Sequence, residues 1–226
     1  MSLGLAAAVC AIAIFATPAL AHEFISSGGP STGKGEEQEF KFGAFKITCA
    51  RASSKGGAST PTSSPTFFTE VKFSKCNTEA KIGGNPIFLH TKFVTPLAIE
   101  YHANGFVEIG SEGEEIAGPA KLKGGSVELK IKAIKCVITL PEQTIPSAAM
   151  KKPNGEFEAA TFSNVAEERG KRKFNELAIS NEFKGIHFEY GEGQCEEFKG
   201  SEEERKAGKY TGELLESIRG GNLEYQ

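Results

Sequence analysis

The sequence contains no aspartate: all twenty-nine of its acidic side chains are glutamate. That absence removes Ser-His-Asp triads, Asp-rich calcium loops and Asp-based phosphoryl-transfer sites as motifs, although glutamate can carry similar chemistry. Tryptophan is also missing and tyrosine occurs four times, so any aromatic platform must come from the seventeen phenylalanines. Phenylalanine has no polar handle and favours a core. No Cys-x-x-Cys pair, Gly-x-Ser-x-Gly elbow, His-Glu-x-x-His helix or Walker loop occurs. The formal charge of -3 is mild, and Lys and Arg are scattered among Glu, so nothing marks a nucleic-acid stripe.

What is present begins with an apolar run from Leu3 to Ala16, followed by Thr17-Pro18-Ala19-Leu20-Ala21. The run is too short to span a bilayer and ends in an Ala-x-Ala cleavage pattern, so residues 1–21 read as a secretory signal peptide. The expected mature protein is secreted, to the cell envelope or beyond it, with no membrane span. Cys10 leaves with the leader, and Cys49, Cys76, Cys136 and Cys195 remain. An even number in an exported chain implies two bridges, with Cys49–Cys76 and Cys136–Cys195 the favoured pairing among three. Loop closure makes these worth about 3.5 and 4 kcal/mol.

His22 to Glu37 is rich in Ser and Gly and reads as a flexible lead-in, before a single β-domain over 38–226 that could divide into two packed lobes. Phe45, Ile47 and Cys49 alternate with polar residues, as do Phe67, Val71 and Phe73, and the stretch 53–66 between them reads as a free polar loop. Ile87, Leu89 and Phe93 continue the period of two, with Pro96 as a corner. Asn104-Gly105, flanked by alternating runs, predicts a two-residue hairpin. Val127, Leu129 and Ile131 lie at odd positions but Ile134, Cys136, Ile138 and Leu140 at even ones, predicting a bulge or change of sheet near Ala133. Further strands are expected at 156–162, 174–179, 183–190, 209–215 and 222–225, and short helices at 164–171 and 201–206. The pattern predicts an antiparallel all-β fold with little helix: a sandwich, immunoglobulin-like or jelly-roll-like, or a partly closed barrel.

Several side chains are candidates for chemistry. His22 becomes the mature amino terminus if cleavage follows Ala21, and an N-terminal His can chelate copper when a second His is held nearby. Pairing about Pro96 sets His90 opposite Glu100 with His102 on the same face, a possible zinc set, against the commoner reading of polar cross-strand pairs. His187 reads as exposed. Glu112, Glu114 and Glu115, the pair Glu196 and Glu197, and Glu202 to Glu204 could supply a glycosidase carboxylate pair, but such clusters are usually solvated charge. No cofactor is expected.

His22-Glu23-Phe24, Ile47-Thr48-Cys49, Phe73-Ser74-Lys75-Cys76, Tyr101-His102-Ala103-Asn104-Gly105, Cys136 through Gln143 and Gly208-Lys209-Tyr210-Thr211-Gly212 form a recurring set of strand ends and turns. On these the chain resembles a group of uncharacterised exported proteins of soil actinobacteria, the Solirubrobacterales and their relatives. The resemblance implies a secreted bacterial β-protein and supplies no active site. The expected role is therefore non-catalytic: a monomeric or weakly associating protein that binds an extracellular or envelope ligand, with residues 50–66 and 196–204 as candidate binding loops. The alternatives are copper-dependent oxidation at His22, Glu-based glycoside hydrolysis, or a purely structural role in the envelope.

Overall fold

The computed structural model describes residues 22–58, 60–82, 85–103, 107–109, 115–131, 134–145, 160–169, 172–191 and 201–226. Their strands are β1 (Phe24–Ser26), β2 (Gly29–Gly35), β3 (Gln38–Phe42), β4 (Phe45–Ala58), β5 (Thr62–Ser64) and β6 (Thr66–Ile82). Then come β7 (Asn85–His102), β8 (Val107–Ile109), β9 (Glu115–Gly118), β10 (Ala120–Ile131), β11 (Ile134–Leu140) and β12 (Gln143–Ile145). After these follow β13 (Ala160–Arg169), β14 (Arg172–Ile186), β15 (Glu189–Tyr190), helix α1 (Glu202–Arg205), β16 (Gly208–Ile218) and β17 (Leu223–Tyr225). The fold is all-β and every pairing among the described residues is antiparallel. No described helix is long and apolar enough to cross a membrane.

One large sheet runs in the order β15-β11-β10-β7-β6-β4-β2-β16-β14-β13-β9-β8, with β3 filling the rest of the space between β4 and β16. Only His187 and Phe188 separate β14 from β15, and β15 pairs with β11, so the path of strands comes back on itself. A small sheet, β17-β1-β5, joins the two ends of the described chain, with Glu23 and Gln226 exchanging backbone hydrogen bonds of 2.7 and 2.9 Å.

Strict alternation turns one face of each strand inward. Phe40, Phe42, Phe73, Phe93, Phe183, Phe188 and Tyr210 form one aromatic cluster. Phe24, Phe67, Tyr101 and Phe162 form a second. The two buried phenols of these clusters each have a hydrogen-bond partner, as burial favours. The Tyr101 hydroxyl donates to Asn181 Oδ1 (2.8 Å) and the Tyr210 hydroxyl donates to Gln38 Oε1 (2.7 Å). Burial pushes both phenols upward, so they remain neutral donors.

The Cys49–Cys76 disulfide joins directly paired residues of β4 and β6. Cys136 is buried and is not a free thiol, while its expected partner, Cys195, lies outside the described residues, as do residues 1–21, where a leader is expected.

Several expectations are corrected. The lead-in is not loose: Gly29–Gly35 is a strand between β4 and β16, and Ser31 is fully buried. The polar stretch 53–66 mostly extends β4 and β5, with Ser54 inside. Pro96 makes no corner; β7 runs through it where both neighbouring ladders are interrupted, which is where a residue without an N–H fits. Asn104-Gly105 lies outside the described residues, but the flanking strands do not pair. Residues 97–101 of β7 are held by β6 and β10, whereas β8 pairs with β9. The phase change near Ala133 is a hairpin: odd positions of β10 pair with even positions of β11, ending at Ile131 opposite Ile134. Residues 164–169 are strand, not helix. The helix expected at 201–206 is present as α1, with Ser201 and Glu204 forming a capping box.

Candidate functional site

The outward face of β13, β14 and β16 forms a trough of about 1110 Å³, bordered by Lys34 of β2 and by the bend between β2 and β3. The strand register lays it out in rungs. Lys34, Leu215, Ala178 and Ser163 form one; Glu213, Ser180 and Thr161 the next; Thr211 and Glu182 a third. At about 4.8 Å between strands, a four-strand rung spans roughly 15 Å. Alternation sends the intervening Leu177, Ile179, Asn181, Phe162 and Leu214 inward, so the floor is backed by core. Small side chains at 161, 163, 178 and 180 keep the floor low.

The border at Glu36 and Glu37 is held from beneath. Gln38 is fully buried, and its Nε2 donates to Glu36 O (2.8 Å) and Glu213 O (2.9 Å). Glu37 takes φ 50, a left-handed conformation that costs a non-glycine residue about 1 kcal/mol. Gly212 leaves the space that Gln38 occupies: a Cβ there would stand 2.0 Å from Gln38 Oε1. The trough thus presents the carboxylates of Glu36, Glu37, Glu182 and Glu213, with Lys34 as the cation among its described lining residues and Lys184 paired to Glu182 at 2.8 Å. Hydroxyls of Thr161, Ser163, Ser180 and Thr211 lie among them. The arrangement offers hydrogen-bond acceptors and negative charge to something extended.

The residues singled out from sequence fall elsewhere. His102 Nε2 lies 3.0 Å from Glu100 Oε1, and Glu100 lies 3.4 Å from Lys123 Nζ, which with Lys121 approaches Glu142. His90 is twelve residues up the same strand from His102 and pairs with Asn77 and Lys130 rather than Glu100. The candidate zinc set of His90, His102 and Glu100 is therefore not assembled, because β7 does not fold back at Pro96 to pair its two halves. Among the described residues no group of three or more His, Cys or Glu is placed to hold a metal ion. His22 stands just before β1, its ring 6.4 Å from that of Tyr225. His187 lies 3.5 Å from Glu189. Glu202 is bonded to Lys206 on α1, while Glu112, Glu114, Glu196 and Glu197 lie outside the described residues.

Sequence reasoning passed over Gln38, Asn181 and Glu216, although each carried a signal: a polar residue on the inward phase of a strand. Leu214, Glu216 and Ile218 alternate with exposed Leu215, and Gly33 stands opposite Glu216. Comparison with protein-family models, with curated proteins and with solved structures found no match.

Proposed function

We propose that the protein is an exported, non-catalytic binding domain whose trough over β13, β14 and β16 takes an extended cationic ligand, specifically a Lys- or Arg-rich peptide segment. The observation that carries this reading is the trough itself: four carboxylates and four hydroxyls around a floor of small side chains, with Glu37 held in a disfavoured conformation at its border. A basic segment finds charge complementarity on the rim and hydrogen-bond partners on the floor. Among the described residues the lining carries no aromatic side chain, which disfavours a sugar platform.

With this reading go export through the leader 1–21, membership of the actinobacterial group it resembles, a second bridge between Cys136 and Cys195, and a partly closed barrel. The returning path of strands through β15 supports the last of these over a sandwich.

The test is fluorescence anisotropy of a labelled ten-residue Lys/Ser peptide with the protein, at low salt and at 0.5 M salt. Binding that weakens with salt is expected, as is loss on substituting Glu182→Gln and Glu213→Gln together. Two exposed charge contacts at roughly 0.5 to 1 kcal/mol each amount to a weakening of about 5- to 30-fold. Binding unchanged by the double substitution would remove the trough from the account.

A further inference from the structure

The inner side of β16, behind the trough, carries a fully buried carboxyl group, Glu216. It faces Ser31 of β2, Ser54 of β4 and Thr69 of β6, so side chains of four strands meet there. The Thr69 hydroxyl lies 2.9 Å from Glu216 Oε1 and 3.2 Å from Lys55 O. One hydroxyl hydrogen cannot serve both acceptors fully. Glu216 Oε2, Ser31 Oγ and Ser54 Oγ are buried with no hydrogen-bond partner among the described residues. Their hydroxyls stand close enough to lower the carboxyl's proton affinity, but the geometry of full hydrogen bonds is not met.

Gly33 is what admits the group. It pairs with Glu216 across β2 and β16, and a Cβ there would stand 2.7 Å from the carboxyl carbon and 2.1 Å from Ser54 Oγ. Among the described residues the charged neighbours on these strands, the cations Lys34 of β2 and Lys55 of β4 and the acid Glu70 of β6, alternate to the outer face, so none of them compensates a charge on Glu216. The titratable side chain that shares its surroundings is Tyr101 of β7, buried and committed to Asn181. A buried, uncompensated carboxylate is strongly disfavoured, whereas the neutral acid can donate its own hydrogen to the Thr69 hydroxyl and leave that hydroxyl free to donate to Lys55 O.

We propose that Glu216 is kept as the uncharged acid in the folded protein and forms an acid-stabilised latch that closes β2 against β4, β6 and β16. Burial acts in the same direction, raising its carboxyl above the ordinary range. Because the folded-state value lies above the unfolded one, folding takes up a proton. The latch's contribution is complete below the unfolded value near 4.3 and is lost as pH rises through the folded value. Over that window the unfolding constant rises by up to tenfold per pH unit from this group alone. This inference concerns the interior and does not depend on what the trough binds.

The experiment is urea unfolding of the wild type and of Glu216→Gln at half-unit steps from pH 4.5 to 8. Gln keeps the shape and a donor but cannot ionise. The wild-type unfolding constant is expected to climb relative to the variant, with a difference in slope approaching one proton; parallel profiles would overturn the latch. If Glu216→Gln does not fold, carbon-13 NMR of the wild type labelled at the glutamate carboxyl decides. One buried carboxyl holding the shift of the neutral acid at pH 6, where the exposed glutamates are ionised, supports the latch. All carboxyls ionised at pH 6 would overturn it.

Discussion

Gly212 permits a sharp test of how the trough is supported. Its φ is ordinary for any residue, so Gly212→Ala adds no backbone strain, and the consequence comes from the methyl group alone. That methyl carbon would sit 2.0 Å from Gln38 Oε1, 2.5 Å from Cδ and 3.0 Å from Nε2. Gln38 cannot swing away freely, because its Nε2 is tied to Glu36 O and Glu213 O and its Oε1 accepts from Tyr210. Displacing it breaks at least one bond between neutral buried groups, about 1 kcal/mol, and leaves orphaned polar atoms at about 1 to 3 kcal/mol. Against this, the alanine restricts the unfolded chain, a gain of about 0.4 to 1 kcal/mol. The net expected loss is about 1 to 3.5 kcal/mol. Tyr210→Phe, which leaves Gln38 Oε1 without its donor, is expected to lose about 1 to 2 kcal/mol. The two changes act on one bond, so the double variant should cost less than their sum by about 1 kcal/mol. Urea unfolding followed by far-ultraviolet circular dichroism measures all three, the chain having no tryptophan to report by fluorescence. Additive losses, or a neutral Gly212→Ala, would refute the argument that Gln38 is pinned beneath the border of the trough.

Replacing Cys49 and Cys76 together by Ala opens a loop of sequence separation 27 and should cost about 3.5 kcal/mol by the chain-entropy relation, read from the denaturation midpoint. A loss below 1 kcal/mol would mean that the β4–β6 ladder already constrains the unfolded chain. Ala178→Arg, on the trough floor between Leu215 and Ser163, should leave stability within about 0.5 kcal/mol yet abolish binding of the basic peptide by anisotropy. Tyr101→Phe leaves Asn181 Oδ1 without its donor in the core, and a loss of about 1 to 2 kcal/mol is expected in the same unfolding assay.

The residues that alternate cleanly were legible from sequence, and so was the pairing of Cys49 with Cys76, because two strands of period two converge on them. The short helix expected at 201–206 is present as α1, and the structure adds its capping box between Ser201 and Glu204. Errors arose where local composition competed with pairing. Gly29 to Gly35 and residues 53–58 are polar and glycine-rich, yet each strand supplies the other's ladder, and β2 gains β16 on its far side. The period change around Ala133 is what a tight hairpin produces when each strand keeps its own inward face. Asn164 to Arg169 lacks an alternating apolar set; its strand state comes from pairing along the length of β14. The trough was invisible because Thr161, Ser163, Ala178 and Ser180 look like ordinary exposed positions until the register aligns them. Glu216 could have been noticed as an acid on an inward phase, but its meaning required Gly33, Ser54 and Thr69 from three distant strands.

The claim that the trough over β13, β14 and β16 is a binding site for basic peptides is tested most directly by NMR of isotope-labelled protein titrated with the Lys/Ser peptide. Amide shifts are expected to concentrate at Lys34, Glu37, Ser163, Ala178, Ser180, Glu213 and Leu215, saturating with peptide and reversed by salt. An unperturbed trough would contradict it, whether no amide shifts or the shifts gather along the charged ladder of Glu100, Lys121, Lys123 and Glu142.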